Sequence, residues 1–143
     1  MTPALVADTG GLLKALARGP DGRPSFPEYE AALTAARLVI VPGLILAEVD
    51  SFLRSDRAAM RQLIAEVFDP RTRYEYDRPM PSDLVRPLEI DAKFGDLDLG
   101  LVDGMVAAVA ERRGVSRVLT TDRRHFAAVR VGPSFSRALD LVP

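Results

Sequence analysis

Hydrophobic residues follow two different spacings along the chain. Short unbroken runs lie at residues 4–7, 38–41 and 118–119. These runs are too short and too β-branched for helices, and they predict buried strands. Between them, hydrophobic residues recur every three or four positions, as on one side of an amphipathic helix. Strands alternating with helices predict an α/β fold of one domain over residues 1–143, a three-layer α/β/α sandwich with a mainly parallel central sheet.

The helix ends are marked by several local signals. Ser25 and Glu28 have the spacing of a capping box, and Asp56 is placed to cap the helix after it. Pro87 cannot sit deep in a helix, so either that helix begins near Pro87 or its first turn is distorted. Helices are predicted after residues 8–11, over 28–37, from 44, after 55–56, over 84–94 and from 102 to 114.

Two helices in the middle of the chain carry long hydrophobic faces. In the first, Ile45, Val49 and Phe52 share a face, and in the second Leu63 and Phe68 belong to the repeating positions. Residues 74–76 and 129–131 are weaker strand candidates, the latter at a sheet edge. Both helical stretches are therefore expected to pack against the remainder of the domain.

Composition narrows the class of protein. Of 143 residues, 48% are hydrophobic and 27% are charged, as in a folded globular domain. The absence of cysteine excludes disulfides, thiolate metal sites and cysteine nucleophiles. No hydrophobic run reaches the roughly 18 residues of a membrane helix, and no signal peptide is evident, so we expect a cytoplasmic protein without membrane association. The net charge of −1 means that nucleic acid could bind only at a local patch.

Acidic side chains from four separate segments are predicted to meet at one edge of the sheet. Asp8 and Asp122 each follow a strand, Glu48 lies in the first turns of a helix, and Asp103 opens another helix. The carboxyl ends of parallel strands meet at the same edge, where α/β proteins bind ligands. Taken singly, each acid also has an ordinary interpretation as a cap, a turn residue, a solvated residue or a partner of the helix dipole. Those interpretations leave the convergence unexplained.

The convergence indicates a cation site. Two carboxylates 4 Å apart repel by about 4 kcal/mol at an effective dielectric constant near 20. Oxygen ligands without cysteine or histidine suit Mg²⁺ or Mn²⁺ rather than zinc. The single histidine, His125, is interpreted as a structural or surface residue rather than a general base. No serine has a histidine partner nearby, and the glycines at 10 and 11 form no phosphate-binding motif.

Four stretches resemble the PIN-domain ribonucleases, and specifically the VapC toxins of prokaryotic toxin–antitoxin pairs. They are LVADTGGLL, ILAEVDSFL, LGLVDGMVAAVAERRGV and VLTTDRRHF, in this order. The resemblance extends from residue 4 to about residue 131 and implies a PIN-like sandwich. Its acidic quartet falls on Asp8, Glu48, Asp103 and Asp122 as metal-binding and catalytic residues, of which Asp8 and Asp103 are the principal ligands.

Several further positions follow from the same resemblance. Asp96 matches an additional acid of secondary importance, and Thr120 matches a threonine that supports the site by hydrogen bonding. Asp98 falls at a position without an assigned role. Gly10 stands where serine is expected, and Gly104 where alanine or a similar small residue is expected.

The resemblance also implies an activity and partners. It implies an endoribonuclease that uses Mg²⁺, with Mn²⁺ as a substitute, and leaves a 3′-hydroxyl and a 5′-phosphate. Arg113, Arg123 and Arg124 are the candidates for contacting the RNA backbone. The expected partners are a cognate VapB-like antitoxin and a second copy of the chain in a homodimer. The antitoxin groove would lie between the helices around residues 12–16 and 44–68.

Two other functions stay open at this point. A catalytically silent PIN module could bind RNA or a protein partner, although the intact quartet favours an enzyme. A phosphoryl-transfer enzyme of another α/β class could use Asp8 as its nucleophile. That alternative is disfavoured because position 10 is glycine rather than aspartate and no lysine lies near Asp122 in the sequence.

Overall fold

Five short strands form the central sheet of the computed structural model, which describes all residues from 1 to 143. They are β1 (Leu5–Ala7), β2 (Val39–Pro42), β3 (Tyr74–Asp77), β4 (Arg117–Leu119) and β7 (Asp140–Val142), and β5 (Arg130–Val131) and β6 (Arg137–Ala138) form a separate antiparallel pair. The order in the sheet is β3-β2-β1-β4-β7, and every neighbouring pair is parallel.

Helices flank this sheet, which confirms the predicted PIN-like α/β/α architecture. They are α1 (Thr9–Leu16), α2 (Pro27–Ala35), α3 (Ile45–Phe52), α4 (Arg57–Val67), α5 (Ser82–Lys93), α6 (Leu101–Arg113) and α7 (Arg123–Ala128), with short 3₁₀ turns at Gly95–Leu97 and Pro133–Phe135. None of the helices combines the length and the hydrophobicity that crossing a lipid bilayer requires.

The core is densest where α6 meets the sheet. All residues of β1 and β2 are buried, as expected for inner strands covered on both faces. Residues 104–110 of α6 are buried without interruption, so this helix is surrounded by protein on every side. Gly114 ends it in the left-handed conformation, with φ of 63°. A helix fixed in this way holds its first turn, which contains Asp103, in a defined place.

A proline lies inside α5, so the alternative that the helix begins near Pro87 is wrong. The helix begins at Ser82 and continues through Pro87 to Lys93. Pro87 packs against α6 at Gly104, where a Cβ atom would lie 2.7 Å from Cβ of Pro87. The close approach of the two helices explains why position 104 is glycine. It also gives Pro87 a packing partner that compensates for its poor fit in a helix interior.

Several other local predictions are corrected. Ser25 and Glu28 form no capping box, because α2 begins at Pro27 after Phe26 and has no side-chain cap. Residues 130–131 join the separate pair, and the edge of the central sheet is instead β7, which the sequence did not suggest. Helical spacing placed Phe52 and Phe68 on packed faces, yet they are 69% and 57% exposed, although the centroid of the Phe68 ring lies 5.0 Å from that of Tyr76. The Asp56 cap is confirmed, since its Oδ1 accepts a hydrogen bond from the Ala59 amide.

Candidate metal centre

Asp8 and Asp122 are brought together by the pairing of β1 with β4. Each acid follows the carboxyl end of its strand, and the two strands are parallel neighbours. Thr120 connects them, because its hydroxyl donates to Asp8 Oδ2 at 2.7 Å and accepts from the Asp122 amide at 2.9 Å. Thr120 is 1% exposed, so this link is isolated from competing water. The supporting hydrogen bond expected of this threonine is therefore present.

The side chain of Asp8 is shielded from solvent. It is 5% exposed, and burial raises its pKa above the usual range. The hydrogen bond from Thr120 acts in the opposite direction, while the charges of Glu48 and Asp122 raise the pKa further. Asp8 precedes α1 but makes no side-chain capping bond to it. Although Asp8 occupies the N-cap position of α1, capping alone does not account for its carboxyl group, which accepts a hydrogen bond from Thr120.

Glu48 reaches the same place from the first turn of α3. Its Oε1 accepts a hydrogen bond from the Thr9 hydroxyl at 2.7 Å. Thr9 is buried and directly follows Asp8 in the chain. Sequence reasoning missed Thr9, because nothing in a linear pattern shows that a hydroxyl at the start of α1 faces a residue 39 positions later.

Asp103, in the first turn of α6, gives the clearest electrostatic sign of a cluster. Its pKa is raised to about 6, first by burial and then by the charges of Asp8, Asp122 and Glu48. His125 is the one neighbour that lowers it. The repelling charges are thus the other three members of the predicted quartet. The structure brings together all four acids that the sequence singled out.

Asp122 is held by the helix that it starts. Its Oδ1 accepts from the His125 amide at 3.0 Å, which caps α7, and its Oδ2 lies 2.6 Å from His125 Nδ1. The same ring nitrogen is 3.7 Å from Asp103 Oδ2. His125 therefore lies within the acidic cluster, a location that its interpretation as a structural or surface residue did not include. Its position three residues after a capping aspartate was the signal available in the sequence.

The donor set fits a divalent cation. Ligand atoms of Asp103, Asp122 and His125 lie within 4.8 Å of one another, and Asp8 and Glu48 act on Asp103 electrostatically. Carboxylate oxygens are the ligands that Mg²⁺ and Mn²⁺ prefer. The raised pKa values of Asp8 and Asp103 reflect burial and repulsion, which a cation would offset.

Other predicted residues lie at varying distances from this cluster. Asp96 is exposed in a 3₁₀ turn before α6 and makes no hydrogen bond to any of the four acids. Arg123 and Arg124 are exposed at the start of α7, directly after Asp122. Arg123 donates to the Pro143 carbonyl at 3.0 Å, whereas Arg124 has no hydrogen-bond partner.

Arg113 does not belong to the site. It lies at the far end of α6 from Asp103, where it donates to Asp77 and Glu75 at 2.9 Å each. Arg112 joins the same network through Asp77 and Asp83. These ion pairs join α6 to β3 and α5. Arg113 is therefore a structural residue, and its assignment as an RNA contact is corrected.

The two glycines after Asp8 allow α1 to approach β4 closely. A Cβ atom at Gly11 would lie 2.5 Å from the Leu119 carbonyl carbon, and one at Gly10 would collide with the Thr121 hydroxyl. The Thr121 side chain thus occupies the space that a serine at position 10 would need. A hydroxyl group is present beside the mouth of the site even though position 10 lacks one.

Comparison with known proteins agrees with this arrangement. The sequence profile of the PIN domain family matches residues 5–132, and the chain belongs to that family. Membership implies nuclease activity. No curated protein sequence matches the chain significantly.

Three solved structures share the fold at low identity. One is VapC20 of Mycobacterium tuberculosis, a toxin that cleaves the sarcin–ricin loop, with a TM-score of 0.67, 20% identity, and coverage of 90% of this chain and 99% of that one. A toxin–antitoxin complex from Klebsiella pneumoniae has a TM-score of 0.64 and 18% identity, over 87% and 91% of the two chains. FitAcB of Neisseria gonorrhoeae has a TM-score of 0.58 and 17% identity, over 97% and 96%.

Proposed function

We propose that the chain is a metal-dependent endoribonuclease that hydrolyses RNA phosphodiester bonds in the cytoplasm, as the toxin of a VapBC-type pair. The observation that carries the proposal is the acidic cluster itself: ligand atoms of Asp103, Asp122 and His125 lie within 4.8 Å of one another, and burial and the charges of Asp8, Asp122 and Glu48 raise the pKa of Asp103 to about 6. Four acids held in one place store repulsion that a divalent cation relieves. Mg²⁺ is the proposed cofactor, with Mn²⁺ as a substitute. Family membership and the shared fold of VapC20 support the nuclease and toxin assignments.

The residues of the site have distinct roles in this proposal. Asp8 and Asp103 would be the principal ligands, and Glu48 and Asp122 would complete the site directly or through water. Thr120 and Thr9 hold Asp8 and Glu48 by hydrogen bonds of 2.7 Å each, so these ligands are already oriented. When bound, the cation would supply Lewis acidity for activating water and for stabilising the departing oxygen. The expected products carry a 3′-hydroxyl and a 5′-phosphate.

RNA would reach the acids along the start of α7. Arg124 is exposed and unpaired, and Arg123 beside it is exposed and bound only to the Pro143 carbonyl. Both directly follow Asp122, so phosphates that bind them lie next to the acidic cluster. Because the net charge of the chain is −1, this local pair matters more than any general attraction. VapC20 is described as cleaving the sarcin–ricin loop, so RNA hairpins are the first substrates to test.

A VapB-like antitoxin would occupy the exposed hydrophobic side of α3 and α4. Phe52 in α3 is 69% exposed, and Ile64 in α4 and Phe68 just after it are 36% and 57% exposed. Large exposed apolar residues of this kind are typical of protein-binding surfaces. Glu48 lies one turn before Phe52 on α3, so a partner on this surface could extend a basic side chain to the acidic cluster.

A homodimer would use a different surface, on α5. Leu84, Val85 and Leu88 are 44%, 58% and 62% exposed, and Leu101 at the start of α6 is 43% exposed. Positions 84, 85 and 88 have the helical spacing of a single side. A second copy of the chain that buries this row would remove it from water.

A cleavage assay tests the proposed activity. Purified protein is incubated with labelled RNA hairpins in Mn²⁺ or in EDTA, beside the variants Asp8→Asn and Asp103→Asn. We expect cleavage only with metal and a loss of roughly a hundredfold or more in each variant, because each removes a carboxylate that would hold the cation. Asp98→Asn, at an exposed acid outside the cluster, is the matched control and should cleave at the wild-type rate.

Three outcomes would contradict the mechanism. They are cleavage in EDTA, cleavage at the wild-type rate by both Asp8→Asn and Asp103→Asn, and a loss of the same size in the Asp98→Asn control. A wild-type protein that binds RNA or a partner but cleaves nothing with either metal would instead favour the silent PIN module. That alternative has no separate structural observation in its favour.

A further inference from the structure

His125 lies at the point where two of the four acids approach each other. Its Nδ1 is 2.6 Å from Asp122 Oδ2 and 3.7 Å from Asp103 Oδ2. The side chain is 23% exposed, so water competes little for this ring. The chain has no other histidine.

A hydrogen bond joins the ring to Asp122. The separation of 2.6 Å between His125 Nδ1 and Asp122 Oδ2 is a hydrogen-bond distance, and the tautomer with a hydrogen on Nδ1 makes the ring the donor to this carboxyl group. A protonated Nδ1 has no lone pair left for a cation. His125 therefore acts on Asp122 rather than serving as a ligand through this nitrogen.

The same residue holds Asp122 at two points. Its backbone amide donates to Oδ1 at 3.0 Å, and its ring donates to Oδ2 at 2.6 Å. A carboxylate has about four lone-pair directions, so two such bonds orient the group and leave the others for a cation. Neither bond requires a residue outside α7, whose first turn contains both donors.

The four acids differ in how they are supported. Asp8 is held by Thr120 and Glu48 by Thr9. Asp103 accepts no side-chain hydrogen bond and has only His125 Nδ1 within 4 Å as a basic neighbour. His125 is thus the single donor group serving the Asp103–Asp122 side of the cluster.

We propose that His125 is a positioning residue whose Nδ1–H orients Asp122 so that Asp122 and Asp103 bind one divalent cation together. This proposal rests on the metal-dependent function proposed above. Groups that hydrogen-bond to metal-ligating side chains typically contribute 10–100-fold, in rough terms, to metal affinity or activity. His125 has that relation to Asp122.

Two variants at the same position test the hydrogen bond. Asparagine can place its side-chain amide close to the position of Nδ1, whereas leucine fills similar space without a donor. We expect His125→Leu to raise the Kd for Mn²⁺ by about tenfold or more and to lower kcat, with little change in KM. His125→Asn should stay within about threefold of the wild type on both measures. Calorimetric titration of untagged, metal-stripped protein gives the affinities independently of cleavage.

The uniqueness of His125 permits a spectroscopic test as well. Nitrogen-15 shifts of the ring in untagged, metal-free protein should show that Nδ1 is protonated. A ring protonated only at Nε2 would overturn the proposal. This measurement needs no variant, so it decides the matter even if His125→Leu does not fold.

The remaining outcomes separate this proposal from the proposed function. A wild-type protein that neither binds Mn²⁺ nor cleaves RNA overturns both. If the wild type binds Mn²⁺ and cleaves RNA, and His125→Leu matches it in both, only the role of His125 is overturned. Equal impairment of the asparagine and leucine variants also rejects the hydrogen bond as the basis of positioning. Impairment of His125→Leu alone, with His125→Asn close to the wild type, supports the hydrogen bond as the basis of positioning.

Discussion

Asp103 is the acid whose ionisation the surrounding fold opposes most clearly. Its pKa of about 6 lies above the ordinary value of 3.8, so the folded protein binds this proton more tightly than the unfolded chain. Ionisation of Asp103 therefore destabilises the metal-free folded state. This effect is absent below about pH 4, grows as the pH rises, and is complete above about pH 6. The contribution of Asp103 should therefore lower the free energy of unfolding of the metal-free protein between about pH 4 and pH 6.

The variant Asp103→Asn should consequently stabilise the metal-free protein at pH 8. The side chain is 27% exposed, so we expect a gain on the order of 1–2 kcal/mol after solvent screening. That gain corresponds to roughly 3–8 °C in Tm for a chain of this size. At pH 4 the variant and the wild type should melt together. Thermal unfolding in EDTA at both pH values measures this.

A matched control is available for this comparison. Asp96→Asn changes an exposed acid that makes no hydrogen bond or ion pair with the cluster, and the Tm of this variant should differ from that of the wild type by less than about 2 °C. A fall in Tm for Asp103→Asn at pH 8 would show that the acids do not repel one another there. Mn²⁺ should raise the wild-type Tm at pH 8, because binding to the folded state relieves the same repulsion.

The four acids could be predicted at the residue scale, but their supporting hydrogen bonds could not. Strand ends in a parallel sheet place Asp8 and Asp122 at one edge whatever their rotamers are. Thr9 and His125 become part of the site through side-chain directions that a linear pattern does not contain. Thr120 could be identified only through the family resemblance.

At the scale of elements, the α5–α6 contact connects packing to the site. Gly104 follows Asp103, and a Cβ at Gly104 would lie 2.7 Å from Cβ and 3.1 Å from Cα of Pro87. Because backbone atoms are involved, the two helices would have to separate to admit even one methyl group. The position of Asp103 therefore depends on how tightly α6 packs against α5.

Gly104→Ala should destabilise the protein by about 1–3 kcal/mol, although alanine is the better helix former by up to about 1 kcal/mol. Urea denaturation measures the change. Gly95→Ala is the matched control, since a Cβ there meets nothing within 4 Å. Combining Gly104→Ala with Pro87→Gly should recover part of the loss, because the second change removes the Cβ atom that a methyl group at position 104 would meet. A Gly104 variant as stable as the wild type would mean that the helices are not in this contact.

Element predictions succeeded where neighbours in the chain decide the structure. Asp56 caps α4 and Gly114 ends α6, as local rules require. They failed where contacts distant in sequence decide. Pro87 is accommodated by α6, and β7 becomes a strand through its pairing with β4. The alternation of short strands and helices was enough to predict the α/β/α sandwich, but it did not predict β7 as an edge strand of the sheet.

At the scale of the whole molecule, two separate hydrophobic surfaces are left uncovered. Leu88 on α5 belongs to the surface proposed for the homodimer, and Phe52 on α3 to the surface proposed for the antitoxin. Hydrophobic spacing in the sequence identified the helices but could not distinguish burial within the chain from burial by a partner. That distinction requires the folded chain.

We expect Leu88→Arg to convert a homodimer to monomers, because a charge in an apolar interface cannot be desolvated without a partner. Phe52→Arg is the matched control and should leave the dimer intact while abolishing antitoxin binding. Sedimentation equilibrium at several protein concentrations distinguishes the states. A monomeric wild type, or a dimer that Phe52→Arg disrupts and Leu88→Arg does not, would contradict the assignment.

The double use of Asp122 has an evolutionary consequence. A helix of six residues has little stability of its own, and α7 depends on the Asp122 cap, whose loss costs about 1–2 kcal/mol. Asp103 makes no such bond, and neutralising it relieves repulsion. A lineage that escapes the burden of a harmful nuclease would therefore lose it most readily at position 103, where inactivation and stabilisation coincide. Degenerate descendants should retain aspartate at 122 longer than at 103.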